Sequence, residues 1–239
     1  MLRKSISKID KAYIWYDDTY HHWQPERCFA YELYHQSSNI LERCKKILES
    51  RNYNCENNCY IDYRKLRING EIFKDLSKRI SPKSCPDLVL HGGDTVYNLQ
   101  ILACEIKRFN YCANKDLLYD IYKLIEYMEL KCEGKDAQYQ NVALILLGSN
   151  PTELKKRLNS LHFNRFSCNE TKNKVKQYCK YIKRFLRNPA YKNRFYCVFI
   201  QPSSPLNSKG KIPLNEILCE PLKNIIYNAS GFYSLINSI

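Results

Sequence analysis

The chain has 239 residues, of which 44% are hydrophobic and 26% are charged, and this balance favours one globular α/β unit over a disordered or fibrous chain. Twelve cysteines would suit a disulfide scaffold, but the chain is long for one and its first residues, MLRKSISKID, lack the apolar stretch of a signal peptide. We therefore expect reduced thiols in a cytoplasmic protein. The net charge of +14 indicates a polyanionic partner. No apolar run is long enough to span a bilayer, so we expect no membrane span.

The first part of the chain is expected to form an irregular arm and then a long helix. Residues 1–24 have no clear period. After Pro25, which suits a first helical turn, apolar residues recur at three- and four-residue steps. We expect this helix to end near Ser50, and Ser37 to Asn39 could divide it into two.

A run of short strands is expected next. Asn69-Gly70, between YRKLRI and EIFKD, is typical of a two-residue hairpin turn. Two further strands, Asp87–His91 and Gln100–Lys107, are separated by the turn residues Gly92-Gly93-Asp94.

The second half of the chain alternates helices and buried strands. Asn114 is a suitable N-cap for a helix that Gly134 would end, and Val142 to Leu147 is apolar on both faces, as in the middle of a covered sheet. The remaining elements follow in this order: a basic helical region over about 152–187, a buried strand at Phe195–Ile200, a loop at Gln201–Pro213, and helix over the last 25 or so residues.

These elements predict an α/β fold, namely a mixed β-sheet flanked by helices, with an added basic helical region and a C-terminal strand and helix. The sequence shows no repeat and no convincing domain linker. We expect a single domain over 1–239, with a core at about 25–150 and a basic extension at about 151–194.

The positive charge is concentrated in the extension. Between Pro151 and Arg194 there are thirteen lysines and arginines, opposed only by Glu153 and Glu170. Such a surplus neutralises phosphates, and the interleaved aromatic residues could stack on bases. The alternative is an amphipathic helix whose aromatics are core and whose lysines are solvated; we expect both to hold, with the basic side chains forming a wall of a nucleic-acid cleft. The residues expected to contact nucleic acid here are Lys172, Lys176, Lys180, Lys183, Arg184 and Arg187.

The strongest candidate site lies on the two short strands around SCPDLVLHGG and QILACEIKRF. Asp87 opens one strand after Pro86, and Glu105 and Lys107 are two residues apart on the next, so their side chains share a face. If the strands pair, Asp87 and Glu105 converge, and a hard cation would relieve their repulsion. The carbonyl of Ile106, which lies between Glu105 and Lys107, is a candidate for an extra oxygen ligand, and Lys107 could orient a water or stabilise a transition state. The alternative is an ion pair at an exposed strand end.

The full pattern, Pro86-Asp87, then seventeen residues, then Glu105-Ile106-Lys107, resembles the signature of the PD-(D/E)xK, or restriction-endonuclease-like, nuclease superfamily. The order of elements from 25 to 147 is similar to the core of that fold. The resemblance implies phosphodiester cleavage with Mg²⁺ or Mn²⁺, with Asp87 and Glu105 as metal ligands and Lys107 as the catalytic lysine. It also implies roles in restriction, repair or defence.

Many such nucleases add a glutamate from the first helix, and Glu26 and Glu32 are the candidates here, with Gln36 one turn beyond Glu32. The alternatives are a first-turn acid favoured by the helix dipole for Glu26 and a solvated side chain for Glu32. Lys123 could contact a phosphate or be a solvated surface lysine, and His91 is structural or contacts the substrate.

Other constellations are weaker. Cys55 and Cys59 lack a second ligand pair at zinc-finger spacing, and His21-His22 lacks a third ligand. The sequence has no Walker-type phosphate loop and no nucleophile elbow.

We therefore expect a metal-dependent nuclease acting on DNA. A homodimer would allow both strands of a duplex to be cut. The main alternative is a catalytically inactive nucleic-acid-binding module of the same fold, and a weaker one is a peripheral membrane protein.

Overall fold

A computed structural model describes residues 1–14, 25–51, 63–70, 86–92, 100–129, 131–132, 135–136, 138–163, 166, 168–191, 193–201 and 210–239. The strands in these ranges are β1 (Arg67–Gly70), β2 (Leu88–His91), β3 (Gln100–Arg108), β4 (Lys131–Cys132), β5 (Lys135–Asp136), β6 (Asn141–Leu147), β7 (Phe195–Ile200) and β8 (Ile217–Pro221). The α-helices are α1 (Leu2–Ile6), α2 (Pro25–Ser50), α3 (Asn114–Glu129), α4 (Pro151–Asn159), α5 (Asn169–Arg187), α6 (Leu222–Tyr227) and α7 (Ser230–Asn237).

Six of these strands form one mixed sheet in the order β1-β2-β3-β6-β7-β8. The pairs β3–β6 and β6–β7 are parallel, and the pairs towards both edges are antiparallel. The strand that carries Glu105 and Lys107 is therefore interior, with Glu105 opposite Leu144 of β6. The short strands β4 and β5 form a separate ribbon.

Helices cover both faces of this sheet. Side chains alternate between the two faces of each strand, so the interior strands contribute residues to both cores. One core joins the sheet to α3, α4, α5, α6 and α7, and the other joins it to α1 and α2. Phe29 and Leu33 of α2 are fully buried, and each contributes roughly 1.5–3 kcal/mol by leaving water. The apolar run in β6 divides accordingly into Val142, Leu144 and Leu146 on the α3 face and Ala143, Ile145 and Leu147 on the α2 face.

The α/β prediction of a mixed sheet flanked by helices is confirmed, and so are most of its elements. The long helix runs from Pro25 to Ser50 without a break at its Ser-Ser-Asn sequence. The strand Phe195–Ile200 has its predicted bounds. The helix that begins at Asn114 ends at Glu129, before the glycine that was expected to end it.

The prediction of an irregular arm over residues 1–24 is wrong for its first half. Residues Leu2–Ile6 are helical, and Ile6 and Ile9 are completely buried against the α2 side of the sheet. A bridge between Asp10 and Lys211 fixes the segment to the C-terminal part of the chain. Spacing alone did not reveal this helix because it is only five residues long.

Two further local predictions are wrong. Asn69 and Gly70 do not form a hairpin turn: they pair with Val89 and Leu88 of β2, and Gly70 lacks the positive φ that such a turn needs. The last residues are not all helix, because β8 adds an edge strand before two short helices. The predictions made for residues 71–75, 93–94 and 134 lie outside the described residues.

Candidate functional site

The candidate site forms where β3 extends beyond the end of β2. Pairing between these strands ends at Leu88 and Cys104, so the last residues of β3 project past it. The backbone N–H of Ile106 donates to Asp87 Oδ2 at 2.6 Å, and that of Arg108 donates to Glu26 Oε1 at 2.7 Å. Two carboxylates thus satisfy backbone donors that would otherwise lack a neighbouring strand.

The side chains of Glu105 and Lys107 point to the sheet face that α3 covers, as their spacing predicts. Glu105 is 2% exposed. Lys107 lies nearer the end of the strand, with a quarter of its side chain exposed, and its Nζ is 3.7 Å from Glu26 Oε2. Asp87, Glu105, Lys107 and Glu26 are therefore brought together around one strand end.

Helix α3 adds Asp120 and Lys123 to this cluster. Lys123 Nζ is 2.8 Å from Glu105 Oε2 and 3.0 Å from Asp120 Oδ1. Asp120 Oδ2 is 3.5 Å from Lys107 Nζ, so Asp120 lies between the two lysines. We call these six residues the acidic cluster: Glu26, Asp87, Glu105, Lys107, Asp120 and Lys123.

The acidic cluster has a buried floor and an open mouth. Glu105, Asp120 and Lys123 have side-chain exposures of 2%, 3% and 10%, and they form the floor. Lys107 and Glu26, at 25% and 35%, form the mouth. The acidic cluster is therefore accessible to solvent through Lys107 and Glu26.

Burial makes ionisation of the Asp87 and Glu105 carboxyl groups unfavourable. It raises the pKa of Asp87 from 3.8 to about 6, although the Ile106 N–H and the ammonium groups of Lys107 and Lys123 lower it. Burial also raises the pKa of Glu105 well above its ordinary value; Lys123 opposes this effect, and the Asp87 charge adds to it. The two carboxylates that the sequence predicts as metal ligands are thus not fully compensated by the protein.

The two lysines keep their protons. Burial alone would lower the pKa of Lys123, but Glu105 and Asp120 outweigh burial, and the pKa is raised. For Lys107 the effect of burial is likewise overcome, by Asp120 first and then by the other three carboxylates. Both side chains therefore act as fixed positive charges at neutral pH.

Four carboxylates face two ammonium groups, which leaves the fully ionised acidic cluster at −2 within a chain of charge +14. Glu105 Oε1 is buried and accepts no hydrogen bond. The candidate ligand atoms are all oxygens, as Mg²⁺ prefers. The carbonyl of Ile106 points to the same side of β3 as the Ile106 N–H, which donates to Asp87. The residues present therefore fit a divalent cation.

No group of three or more His, Cys, Asp or Glu side chains within the described ranges forms a ready-made metal cage. A cation here would take two side-chain carboxylates and keep several waters, which is the usual coordination of Mg²⁺ in proteins.

Of the two first-helix glutamates, the structure brings only Glu26 to the cluster. Glu32 instead accepts a hydrogen bond from Gln36 at 2.7 Å and lies 3.6 Å from His35, all on α2. The prediction that Glu32 and Gln36 share a face is met, but that face is not the site. His91 is buried and lies 2.9 Å from Asn69 Nδ2 on β1, which favours its structural reading.

The solvated-surface interpretation of Lys123 is wrong, because this lysine is 8% exposed and ion-paired under α3. Asp120 was missed altogether. A signal for it existed, since Asp120 lies three residues after Leu117 and four before Leu124, inside the apolar stripe of its helix. A charge at such a position needs a buried partner.

The basic segment forms α4 and α5, and α5 packs against α3 with Val175, Cys179, Ile182, Phe185 and Leu186 buried. Most of its predicted contact residues lie on the flank of α5 away from α3, at helical steps: Lys176 lies over the Phe163 ring, and Lys183 donates to the Asn237 carbonyl. We call this flank the basic stripe: Lys172, Lys176, Lys180, Lys183 and Arg187. Arg184 points elsewhere and pairs with Glu129 of α3.

The structure does not test the weaker cysteine and histidine constellations. Cys55, Cys59, His21 and His22 lie outside the described residues. The cysteines whose side chains are described form no disulfide, and the reduced thiols stay a prediction. No described helix is both long and apolar enough to cross a membrane.

Comparison with protein-family models, with curated proteins and with solved structures gives no match for this chain. Function therefore has to be inferred from the chemistry of the acidic cluster and its surroundings.

Proposed function

We propose that the protein is a divalent-metal-dependent nuclease that hydrolyses phosphodiester bonds in DNA. The observation that carries this proposal is the acidic cluster at the end of β3. The negative charges of Asp87 and Glu105 are not fully balanced by the protein, and a Mg²⁺ or Mn²⁺ ion would neutralise them. The restriction-endonuclease-like interpretation is supported by the position of this strand, which has an antiparallel neighbour before it in the chain and a parallel neighbour after it.

Asp87 and Glu105 would hold the ion, with the Ile106 carbonyl as a third oxygen. A divalent cation held there would make a bound water more acidic and offset negative charge on the phosphate. The protein would hold these oxygens in place through two contacts: the Ile106 N–H fixes Asp87, and Lys123 fixes Glu105. Positions set by a strand and a helix are more rigid than positions on a loop.

Lys107 would act at the phosphate rather than on the metal. Its raised pKa keeps it protonated, so it can donate hydrogen bonds and positive charge to a phosphoryl oxygen but does not serve as a general base at neutral pH. Glu26 and Asp120, at 3.7 Å and 3.5 Å, hold the ammonium group between them at the mouth. These two residues would position the catalytic lysine.

The second candidate is a nucleic-acid-binding module without catalysis, and one contact favours it. Lys123 already donates to Glu105 at 2.8 Å and could take the place of a cation. The charge of −2 on the fully ionised acidic cluster argues against full replacement, because the single ammonium group of Lys123 does not neutralise Asp87, Glu105 and Asp120 together. A cytoplasmic location and a homodimer remain part of the nuclease proposal.

Cleavage assays separate the two candidates. Supercoiled and linear DNA would be incubated with wild type and with Asp87→Ala, Glu105→Ala and Lys107→Ala in Mg²⁺, Mn²⁺ or EDTA. The nuclease proposal expects cutting by wild type that EDTA and each substitution abolish. Equal inactivity of all four proteins, with DNA binding intact and no Mn²⁺ bound in calorimetry, would refute the nuclease proposal and favour the binding module.

A further inference from the structure

Four tyrosines form a continuous aromatic row beside the acidic cluster, across the contact between α3 and α5. Tyr122 and Tyr178 are stacked with centroids 4.9 Å apart, and Tyr119 lies 6.2 Å from Tyr122 and 5.6 Å from Tyr178. Tyr181 meets the edge of Tyr122 at 4.9 Å. We call this set the tyrosine row: Tyr119, Tyr122, Tyr178 and Tyr181. All four side chains are half-buried, so the row reaches the surface.

The row begins at the acidic cluster and ends at an exposed arginine. Lys123 Nζ lies 5.2 Å from the Tyr119 ring and 2.8 Å from Glu105 Oε2, so this ammonium group lies between the first ring of the row and a proposed metal ligand. At the other end, the Arg184 guanidinium lies 4.6 Å from the Tyr181 ring, and 57% of the Arg184 side chain is exposed. Aromatic rings flanked by cations can bind unpaired bases, which offer a π-face in every sequence.

The charges around the row indicate where a backbone would run. On the α3 side the Tyr122 hydroxyl donates to Glu126, and Arg184 pairs with Glu129, so this side disfavours phosphates. On α5 the only acidic residue is Glu170, and the basic stripe lies on the opposite flank of the same helix. A single strand along α5 would place its bases on the row and its phosphates towards the stripe.

We propose that the tyrosine row binds the unpaired bases of single-stranded nucleic acid and leads that strand to the acidic cluster. This inference rests on the proposed nuclease function, and it assigns the substrate class as a single strand or a frayed end rather than an intact duplex. An intact duplex keeps its bases stacked inside, so it would gain nothing from the row.

Binding in EDTA tests the inference without any cleavage. Fluorescence anisotropy would compare a labelled single strand of about 16 nucleotides with the duplex of the same sequence. Wild type should bind the single strand more tightly. Tyr178→Leu, which keeps apolar bulk but removes the ring, should weaken single-strand binding about 5- to 100-fold, as loss of one base stack does, and should leave duplex binding unchanged. Tyr178→Phe should bind as wild type does.

The matched control is Tyr233→Leu. Tyr233 forms an edge-to-face pair with Tyr227 at 5.2 Å, and Lys223 lies 5.6 Å from the Tyr227 ring, so the same chemistry occurs on α6 and α7 away from the row. This substitution should not alter binding. Wild-type affinity for the single strand in a folded Tyr178→Leu protein, or tighter binding of the duplex by wild type, would overturn the inference.

Photo-crosslinking of the wild-type protein keeps the test valid if Tyr178→Leu does not fold. A single strand carrying 5-iodouracil should crosslink to the tryptic peptides 116–123 and 177–180, which contain three of the four tyrosines of the row. Crosslinks confined to other peptides would refute the proposal. Single-strand binding and crosslinking without any metal-dependent cleavage would preserve this inference and contradict the nuclease function.

Discussion

Replacing Asp87 with asparagine should stabilise the protein at neutral pH, although it removes a residue of the proposed site. Asparagine has the same shape and can still accept the Ile106 N–H, which now donates at 2.6 Å. It carries no charge that burial would penalise. The pKa of Asp87 is raised from 3.8 to about 6, and one pKa unit corresponds to about 1.4 kcal/mol, so ionising this buried carboxyl costs about 3 kcal/mol.

The sign of the pH dependence follows from the same values. Because the folded pKa exceeds the unfolded one, the folded protein holds a proton that the unfolded chain lacks between about pH 4 and pH 6. The contribution of Asp87 to the free energy of unfolding therefore falls as pH rises through this window, and the full penalty applies at pH 7. Asp87→Asn should raise the free energy of unfolding at pH 7 by up to about 3 kcal/mol and leave it unchanged below pH 4.

Urea unfolding in EDTA, followed by circular dichroism from pH 4 to pH 8, would measure this effect. Glu170→Gln is the control, because Glu170 is 75% exposed on α5 and its ion pair with Lys174 is also exposed, so its loss should change stability little. Two results would refute the interpretation of Asp87 as a buried carboxylate whose charge is incompletely balanced. One is an Asp87→Asn protein less stable than wild type at pH 7, and the other is a gain in the free energy of unfolding that does not grow with pH.

Three further predictions concern other parts of the site. Lys123→Met removes the ammonium partner of Glu105 and leaves Asp120 with Lys107 alone, so it should lower the free energy of unfolding by about 3–5 kcal/mol. Mg²⁺ should restore part of this loss in thermal melts, and a loss under about 1 kcal/mol would contradict the burial of the ion pair. Glu26→Gln should reduce the cleavage rate in single-turnover assays about 10- to 100-fold, because Lys107 loses one of the carboxylates that position it. Glu32→Gln should leave the rate unchanged. Equal effects of the two substitutions would contradict the placement of Glu26 beside Lys107. If the basic stripe contacts phosphates, Lys176→Gln and Lys180→Gln should each reduce the slope of log affinity against log salt by about 0.7 for a single strand. An unchanged slope in salt titrations would show that the stripe is not part of the interface.

The parts of the fold that the sequence predicts well have long or strongly apolar patterns. The long helix after Pro25 and the strand Val142–Leu147 are set by periodicity over many residues, so their bounds could be derived. The N-terminal helix and the edge strand β8 have only five residues each and form because the rest of the fold offers them a partner. The Asn69-Gly70 sequence favours a turn locally, but its pairing with β2 places it in a strand.

The candidate site divides in a similar way. Asp87, Glu105 and Lys107 could be found because a two-residue step on a strand places side chains on one face. The helical stripe of α2 contains Glu26 and has Glu32 only at its edge, but the choice between them also depends on where the start of α2 meets the end of β3, which the stripe does not encode. The role of Lys123 depends on how α3 packs on the sheet, although the charged pair with Asp120 on its apolar side was a usable signal.

Calorimetric titration of Mn²⁺ into the protein, with wild type and Glu105→Gln side by side at pH 7.5, tests the central claim most directly. Glu105 has a buried oxygen without a hydrogen-bond donor and a carboxylate that the protein does not fully neutralise. A saturable heat in wild type that Mg²⁺ competes away and that Glu105→Gln lacks is the expected result. Equal heats in the two proteins, or no binding in either, would contradict a metal site at the end of β3.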